Sequence, residues 1–146
     1  DQKVFSGLSF ALPAGSTSAF VGKSGCGKSS TISLLLRFYD PQEGAVFLEG
    51  RPLTDYNLTS YQRRIGLVSQ ETQIFARSIR ENMTYGLREA DYDEDRIEAA
   101  ARQANAHDFI LSTERGYDSM LGENGCRLSG GQKQRLSIAR AFLRKP

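Results

Sequence analysis

The chain has 146 residues, 39% of them apolar, and 19 basic against 17 acidic side chains leave a formal charge of +2. That size suits one domain with a core of its own, and so small a net charge points to neither a nucleic-acid surface nor a polybasic membrane anchor. No stretch reaches the ~18 to 20 apolar residues that cross a bilayer, Asp1-Gln2-Lys3-Val4 lacks the order of a signal peptide, and Cys26 and Cys126 have no metal-ligand spacing; a soluble piece in a reduced, cytosolic compartment is predicted.

Leu8, Phe10 and Leu12 alternate with Gly7, Ser9 and Ala11 in the period of a half-buried strand, which Pro13-Ala14-Gly15 closes with a turn. Thr17 to Val21 reads as a buried strand running into a glycine-rich loop. From Lys28 to about Tyr39, Ile32, Leu34, Leu35, Leu36 and Phe38 fall nearly all round a helix, which predicts burial on most sides and a stop at Asp40-Pro41. Ala45 to Leu48 and Ile65 to Ser69 are further strand candidates, with room for one helical turn or two at 59–64. After Gln70 the pattern changes to helix, at Ser78 to Tyr85, Asp93 to Ala106 and Asp108 to Ser112. The acidic run from Glu89 to Glu98 reads as solvated loop and helix start, with Asp93 or its neighbours at the positive end of a helix dipole. The fold class expected is α/β: a parallel-sheet core over 1–72 carrying a helical part over 73–146.

Gly22-Lys23-Ser24-Gly25-Cys26-Gly27-Lys28-Ser29 matches a phosphate-binding loop, with a strand predicted before it and a helix after it. Glycines at 22, 25 and 27 allow positive φ and close approach of backbone amides to an anion. The helix that opens at Lys28 adds the partial positive charge of its N-terminus. Lys28 is placed to reach the β- and γ-phosphates, Ser29 to ligate Mg²⁺ between them, and Ser30 to donate to a more distal phosphate oxygen. Cys26 reads as a small residue tolerated within the loop.

Such a loop does not choose among kinases, GTPases and transport ATPases. Leu128-Ser129-Gly130-Gly131-Gln132, followed by Lys133-Gln134-Arg135, narrows the choice. Ser129 suits an N-cap and Gly130-Gly131 leave helix amides uncovered, so a second helix N-terminus is built to face an anion. Leu136, Ala139 and Leu143 line one face of that helix, and Lys133, Arg140 and Arg144 another. The five residues from Leu128 resemble the signature sequence of ABC ATPases. Val68-Ser69-Gln70 resembles the family's Q-loop, whose glutamine contacts Mg²⁺ or the attacking water. Ile74-Phe75, Ser78-Ile79-Arg80-Glu81-Asn82 and Tyr85-Gly86 are similar to the helical segment that follows it in exporters. Gly116-Tyr117-Asp118 and Gly122-Glu123-Asn124-Gly125 resemble the exporter stretch in which a glutamate near Glu123 meets the coupling helices. Two local departures stand out: Glu71-Thr72-Gln73 occupies the place of a proline, and Asn124 that of a frequent arginine.

The resemblance, which covers the whole chain, implies a P-loop NTPase core with a parallel sheet and an inserted helical subdomain, incomplete at both ends. The chain would begin after the aromatic that stacks on adenine and stop before the Walker B strand, the D-loop and the switch histidine. His107 is not that histidine and reads as a surface or partly buried helix residue. The resemblance implies catalytic roles for Lys28 and Gln70, and Mg²⁺ ligation by Ser29 and Gln70. It implies ATP contacts by Gly22, Ser24, Gly25, Cys26, Gly27, Lys28, Ser29 and Ser30, and by Ser129, Gly130, Gly131 and Gln132 of a second copy. Partners implied are transmembrane domains and a second nucleotide-binding domain docked head to tail, with no nucleic acid, on the cytosolic or matrix face of a membrane. A piece so bounded is expected to bind Mg-nucleotide weakly, hydrolyse it negligibly and expose apolar surface. Three rivals are a soluble ABC ATPase of DNA repair or translation, opposed by the residues from Tyr117 to Gly125, a small-molecule or nucleotide kinase, opposed by Leu128 to Gln132, and a non-hydrolysing interaction module.

Overall fold

A computed structural model describes residues 4–122, 125 and 127–146. It divides into two compact units, residues 1–62 and 63–146.

In the first unit the turn after Leu12 forms as predicted, with Gly15 at φ +69° and the Ser16 amide and hydroxyl both donating to the Pro13 carbonyl. Phe10 and Phe20 meet edge to face at 5.3 Å. Neither the segment at 8–12 nor that at 17–21 enters a strand ladder, and Val21 is 93% exposed. The parallel sheet expected from the sequence is therefore not among the described residues. A strand is stable only when its amides and carbonyls find ladder partners, and here they find none.

The paired strands of this unit are β1 (Phe47–Leu48) and β2 (Arg51–Pro52), an antiparallel hairpin. Glu49 and Gly50 connect them with φ of +51° and +77°, the two left-handed residues of a tight hairpin turn whose twist matches its strands. The sequence pattern predicted the first strand and missed the second.

Helix α1 (Lys28–Leu35) ends a turn earlier than predicted. Arg37 adopts φ +53°, and the Phe38 and Arg37 amides turn back onto the Ser33 and Leu34 carbonyls at 2.9 and 3.0 Å. This is the 6→1, 5→2 pattern that closes a helix, here with arginine where glycine is usual. Arg37 is held in that conformation by its own side chain, which donates to the Leu53 and Tyr56 carbonyls and pairs with Asp40. The helix is not enclosed as its composition suggested: Ile32 is 38% exposed, and beyond its end Phe38 and Tyr39 are 58% and 69% exposed. Cover within the unit comes at its C-terminal end, where α2 (Leu58–Arg63) reaches it through Tyr61 and Gln62.

The second unit is helical, as the pattern after Gln70 predicts. α3 (Ile79–Met83) opens with a capping box: Ser78 Oγ accepts from the Glu81 amide, and the Glu81 carboxylate accepts from the Ser78 amide at 2.9 Å. That contact holds the Glu81 carboxyl below its ordinary range. Replacing Ser78 with alanine is expected to destabilise this unit by about 1 kcal/mol, read as a lower denaturation midpoint. The residues on either side of the cap pair with 119–121, since Ile79 donates to Ser119 and Leu121 to Arg77.

α4 (Glu94–Gln103) is capped by Asp93, whose carboxylate accepts from the Arg96 amide at 2.8 Å. It stops short of Ala106 because Asn105 turns left-handed at φ +52°, a position asparagine tolerates well. α5 (His107–Leu111) and α6 (Gly130–Leu143) complete the unit. One apolar cluster joins them, with Ile79, Met83, Ile97, Ile110 and Leu136 at 0–1% exposure. The acidic run is solvent-facing loop and helix start, as expected, and its carboxylates make ion pairs at the surface. Glu94 and Asp118 flank Arg80, Asp91 pairs with Arg88, and Glu98 pairs with Arg102. His107, 7% exposed, sits between the Tyr117 hydroxyl at 2.9 Å and Glu98 at 3.4 Å.

Candidate functional site

The loop from Gly22 to Ser29 folds over its own lysine. Lys28 Nζ donates to the carbonyls of Gly22 and Lys23 at 2.8 and 2.9 Å and lies 3.5 Å from Cys26 Sγ. The ammonium therefore rests in the loop on groups that water can satisfy when it leaves. Gly25 and Gly27 take φ of +81° and +94°. Gly22 does not, contrary to expectation; its missing side chain makes room, because a Cβ there would lie 2.6 Å from Cys26 Sγ.

Gly27 is the N-cap of α1 and supplies no side-chain hydrogen bond, and the first turn holds no acidic residue. Among the described residues the amides of Lys28, Ser29 and Ser30 have no backbone or side-chain acceptor, whereas Thr31 already bonds Gly27. Uncapped first-turn amides and a dipole end free of negative side chains make an anion site without further residues. The hydroxyl of Ser29, exposed at the second position of the helix, adds a hard oxygen donor. Alanine at Gly27 would strain the left-handed backbone and place its Cβ 2.5 Å from the ring of Phe5. The expected result is roughly tenfold weaker binding of Mg-ATP by titration, from a conformational cost of about 1–2 kcal/mol.

At the second motif, Ser129 caps α6 as predicted, its hydroxyl accepting from the Gln132 amide at 3.3 Å. The Gln132 side chain accepts from the Ser129 amide at 2.8 Å through its Oε1 and completes a second capping box. The serine-to-glutamine spacing carried that signal in the sequence. The amides of Gly130 and Gly131 are the ones left bare, and a Cβ at either glycine would meet nothing within 4 Å. Leu136, Ala139 and Leu143 are buried as expected.

Arg140 makes contacts that the sequence pattern did not show. It donates to the Asn82 carbonyl at 2.8 Å and to the Gln73 carbonyl at 3.2 Å, with its guanidinium 5.7 Å from the Phe75 ring centre. Gln70 is exposed in a bend just after Ser69, whose hydroxyl donates to the Glu71 carbonyl. The structure thus gathers Gly22, Ser24, Gly25, Cys26, Gly27, Lys28, Ser29 and Ser30 in the first unit. It gathers Ser129, Gly130, Gly131 and Gln132 at one helix end of the second, which also carries Gln70. Glu123, Asn124 and Cys126 lie outside the described residues.

A lysine-bearing glycine loop that runs into an uncapped helix defines a P-loop NTPase fold. The sequence matches the family model described as "ABC transporter" over residues 5–146, and the chain belongs to that family. It is 51% identical over 146 residues to "ABC transporter B family member 2" of Dictyostelium discoideum, matching 100% of this chain and 10% of that protein. It is 49% identical over 147 residues to "Multidrug resistance protein 1" of Entamoeba histolytica, matching 100% of this chain and 11% of that protein. Among solved structures, a bacterial Atm1-family ABC exporter with ATP bound is similar at a TM-score of 0.79 and 40% identity, over 85% of this chain and 22% of that one. The chain spans about a tenth of the relatives and about a fifth of that exporter.

Proposed function

We propose that this chain works as the nucleotide-binding module of a B-type ABC exporter, binding ATP with Mg²⁺ and, within the whole transporter, hydrolysing it to drive export. The observation that carries this reading is the start of α1, where three amides without a partner among the described residues stand beside a lysine held on exposed loop carbonyls. The exporter with ATP bound, 40% identical, supports the same ligand.

In this reading the amides from Gly25 to Ser30 and the Ser24 and Ser30 hydroxyls hold the phosphates, Cys26 packs within the loop, and Lys28 moves from its carbonyls to the β- and γ-phosphates. Ser29 and Gln70 would hold Mg²⁺. The fit is chemical: Mg²⁺ prefers oxygen donors, keeps most of its waters and needs only one or two protein ligands beside the phosphates. When bound it supplies neutralisation of charge at the transferring phosphoryl group. Gln70, exposed in its bend, is free to orient towards the attacking water.

Ser129, Gly130, Gly131 and Gln132 belong to the surface that meets the nucleotide of a second copy docked head to tail, with the Gln132 capping contact also fixing the shape of that helix end. Loss of the γ-phosphate would then remove a contact shared by both copies and let them part. Transmembrane domains on the same or a partner chain receive this motion, and the module lies on the cytosolic or matrix face of the membrane. In the family's fold the segments at 17–21 and 65–69 would be strands of the parallel sheet, with 1–72 as its core and 73–146 as its helical subdomain. The test is a direct titration of the full-length protein with Mg-ATP. Saturable binding at micromolar to millimolar nucleotide is expected, and absence of binding with Lys28 intact would overturn the reading.

A further inference from the structure

The C-terminal end of α1 is as completely satisfied as its N-terminal end is bare. A helix leaves four orphan carbonyls at its C-terminus. Here Ser33 and Leu34 are answered by the Phe38 and Arg37 amides, within the chain reversal itself. Leu35 and Leu36 are answered from another element: the Tyr61 hydroxyl donates to Leu35 O, and Gln62 Nε2 donates to Leu36 O at 2.9 Å. Both donors stand next to each other on α2, and both bonds are partly buried, where water competes poorly. Burial also raises the Tyr61 phenol above its ordinary value, so its hydroxyl stays a donor through the neutral range.

We propose that Tyr61 and Gln62 are positioning residues for nucleotide binding, which grip the tail of α1 and so fix where the phosphate-facing amides at its head point. This rests on the function proposed above. α1 is short, from Lys28 to Leu35, and rises about 12 Å over its length at 1.5 Å per residue. A rigid body of that size transmits a tilt at one end to the other almost undiminished. Arg37 adds a third hold just past the helix, on the Leu53 and Tyr56 carbonyls, but it anchors the exit of the chain and leaves the helix's own carbonyls untouched. Neither Tyr61 nor Gln62 belongs to the glycine loop. Their effect is on geometry, and misplaced amides weaken ground state and transition state alike, which raises KM more than it lowers kcat.

The experiment compares full-length wild type with the double variant Tyr61→Phe/Gln62→Ala and with Tyr61→Phe/Gln62→Arg, reading Mg-ATP affinity by titration and KM and kcat by steady-state turnover. Phenylalanine keeps the ring and deletes only the donor. The expected result for the first variant is at least a fivefold rise in Kd and KM against at most a twofold fall in kcat. Arginine, which also donates to a carbonyl, is expected to recover at least half of the lost affinity on a logarithmic scale. Wild-type Kd in the first variant, an equal loss in KM and kcat, or failure of arginine to restore affinity would each overturn the proposal. Failure of the wild type itself to bind would instead sink the nucleotide reading, so the two outcomes are distinct.

Discussion

Full-length protein carrying Lys28→Ala is expected to turn over ATP about 10² to 10³ times more slowly than wild type, the loss that follows removal of one preorganised donor from a developing charge. The same substitution should barely change thermal stability. Lys28 spends its hydrogen bonds on the Gly22 and Lys23 carbonyls, both exposed, and water replaces an exposed partner at little cost. Arginine is not a safe substitute, because a planar fork does not reproduce the compact charge and three rotatable donors of an ammonium. Steady-state ATPase with a parallel melting curve decides the matter. A fall of less than tenfold, or a large drop in melting temperature with it, would count against a catalytic role.

Asn82→Ala is expected to destabilise the helical unit by roughly 3 kcal/mol, the sum of lost hydrogen bonds and a small cavity. Asn82 is fully buried. Its Oδ1 accepts from the Phe75 amide at 2.8 Å, and its Nδ2 donates to the Phe75 and Ser78 carbonyls at 3.0 Å. Alanine strands those backbone groups away from water, which costs more than never having formed the bonds. The segment it holds follows Gln70 and is gripped from the other side by Arg140, so its collapse should also impair nucleotide turnover. Asn82→Asp should be no milder, since a carboxylate would face the carbonyls that the amide now serves. Differential scanning of the full-length variants measures the effect, and an unchanged transition for this domain would refute it.

Residues whose chemistry is local were legible in the sequence. Ser129 before two glycines and Asp93 before an amphipathic run announce helix starts, and the structure has both caps. The glycine-lysine-serine loop is equally local, since its shape follows from which residues can adopt left-handed backbone. Features that depend on distant partners were not legible. Arg51-Pro52 shows no apolar alternation, so nothing in its letters marked it as the partner of Phe47-Leu48. Arg37 ends α1 in a conformation usually given to glycine, and what holds it there lies 16 and 19 residues away. The same is true of Arg140, whose spacing sets it apart from the apolar face but says nothing of the carbonyl it clasps 67 residues back along the chain.

The two glycines at the head of α6 have a cost that nothing among the described residues requires. Alanine at either position would meet nothing within 4 Å among the described residues, and glycine is the poorer helix former. That helix is therefore weaker at its tip than its own surroundings demand. Smoothness there benefits only a visitor, and a stabilised version of this domain with methyl groups at its tip would be a sturdier fold presenting a rougher face to whatever docks against it.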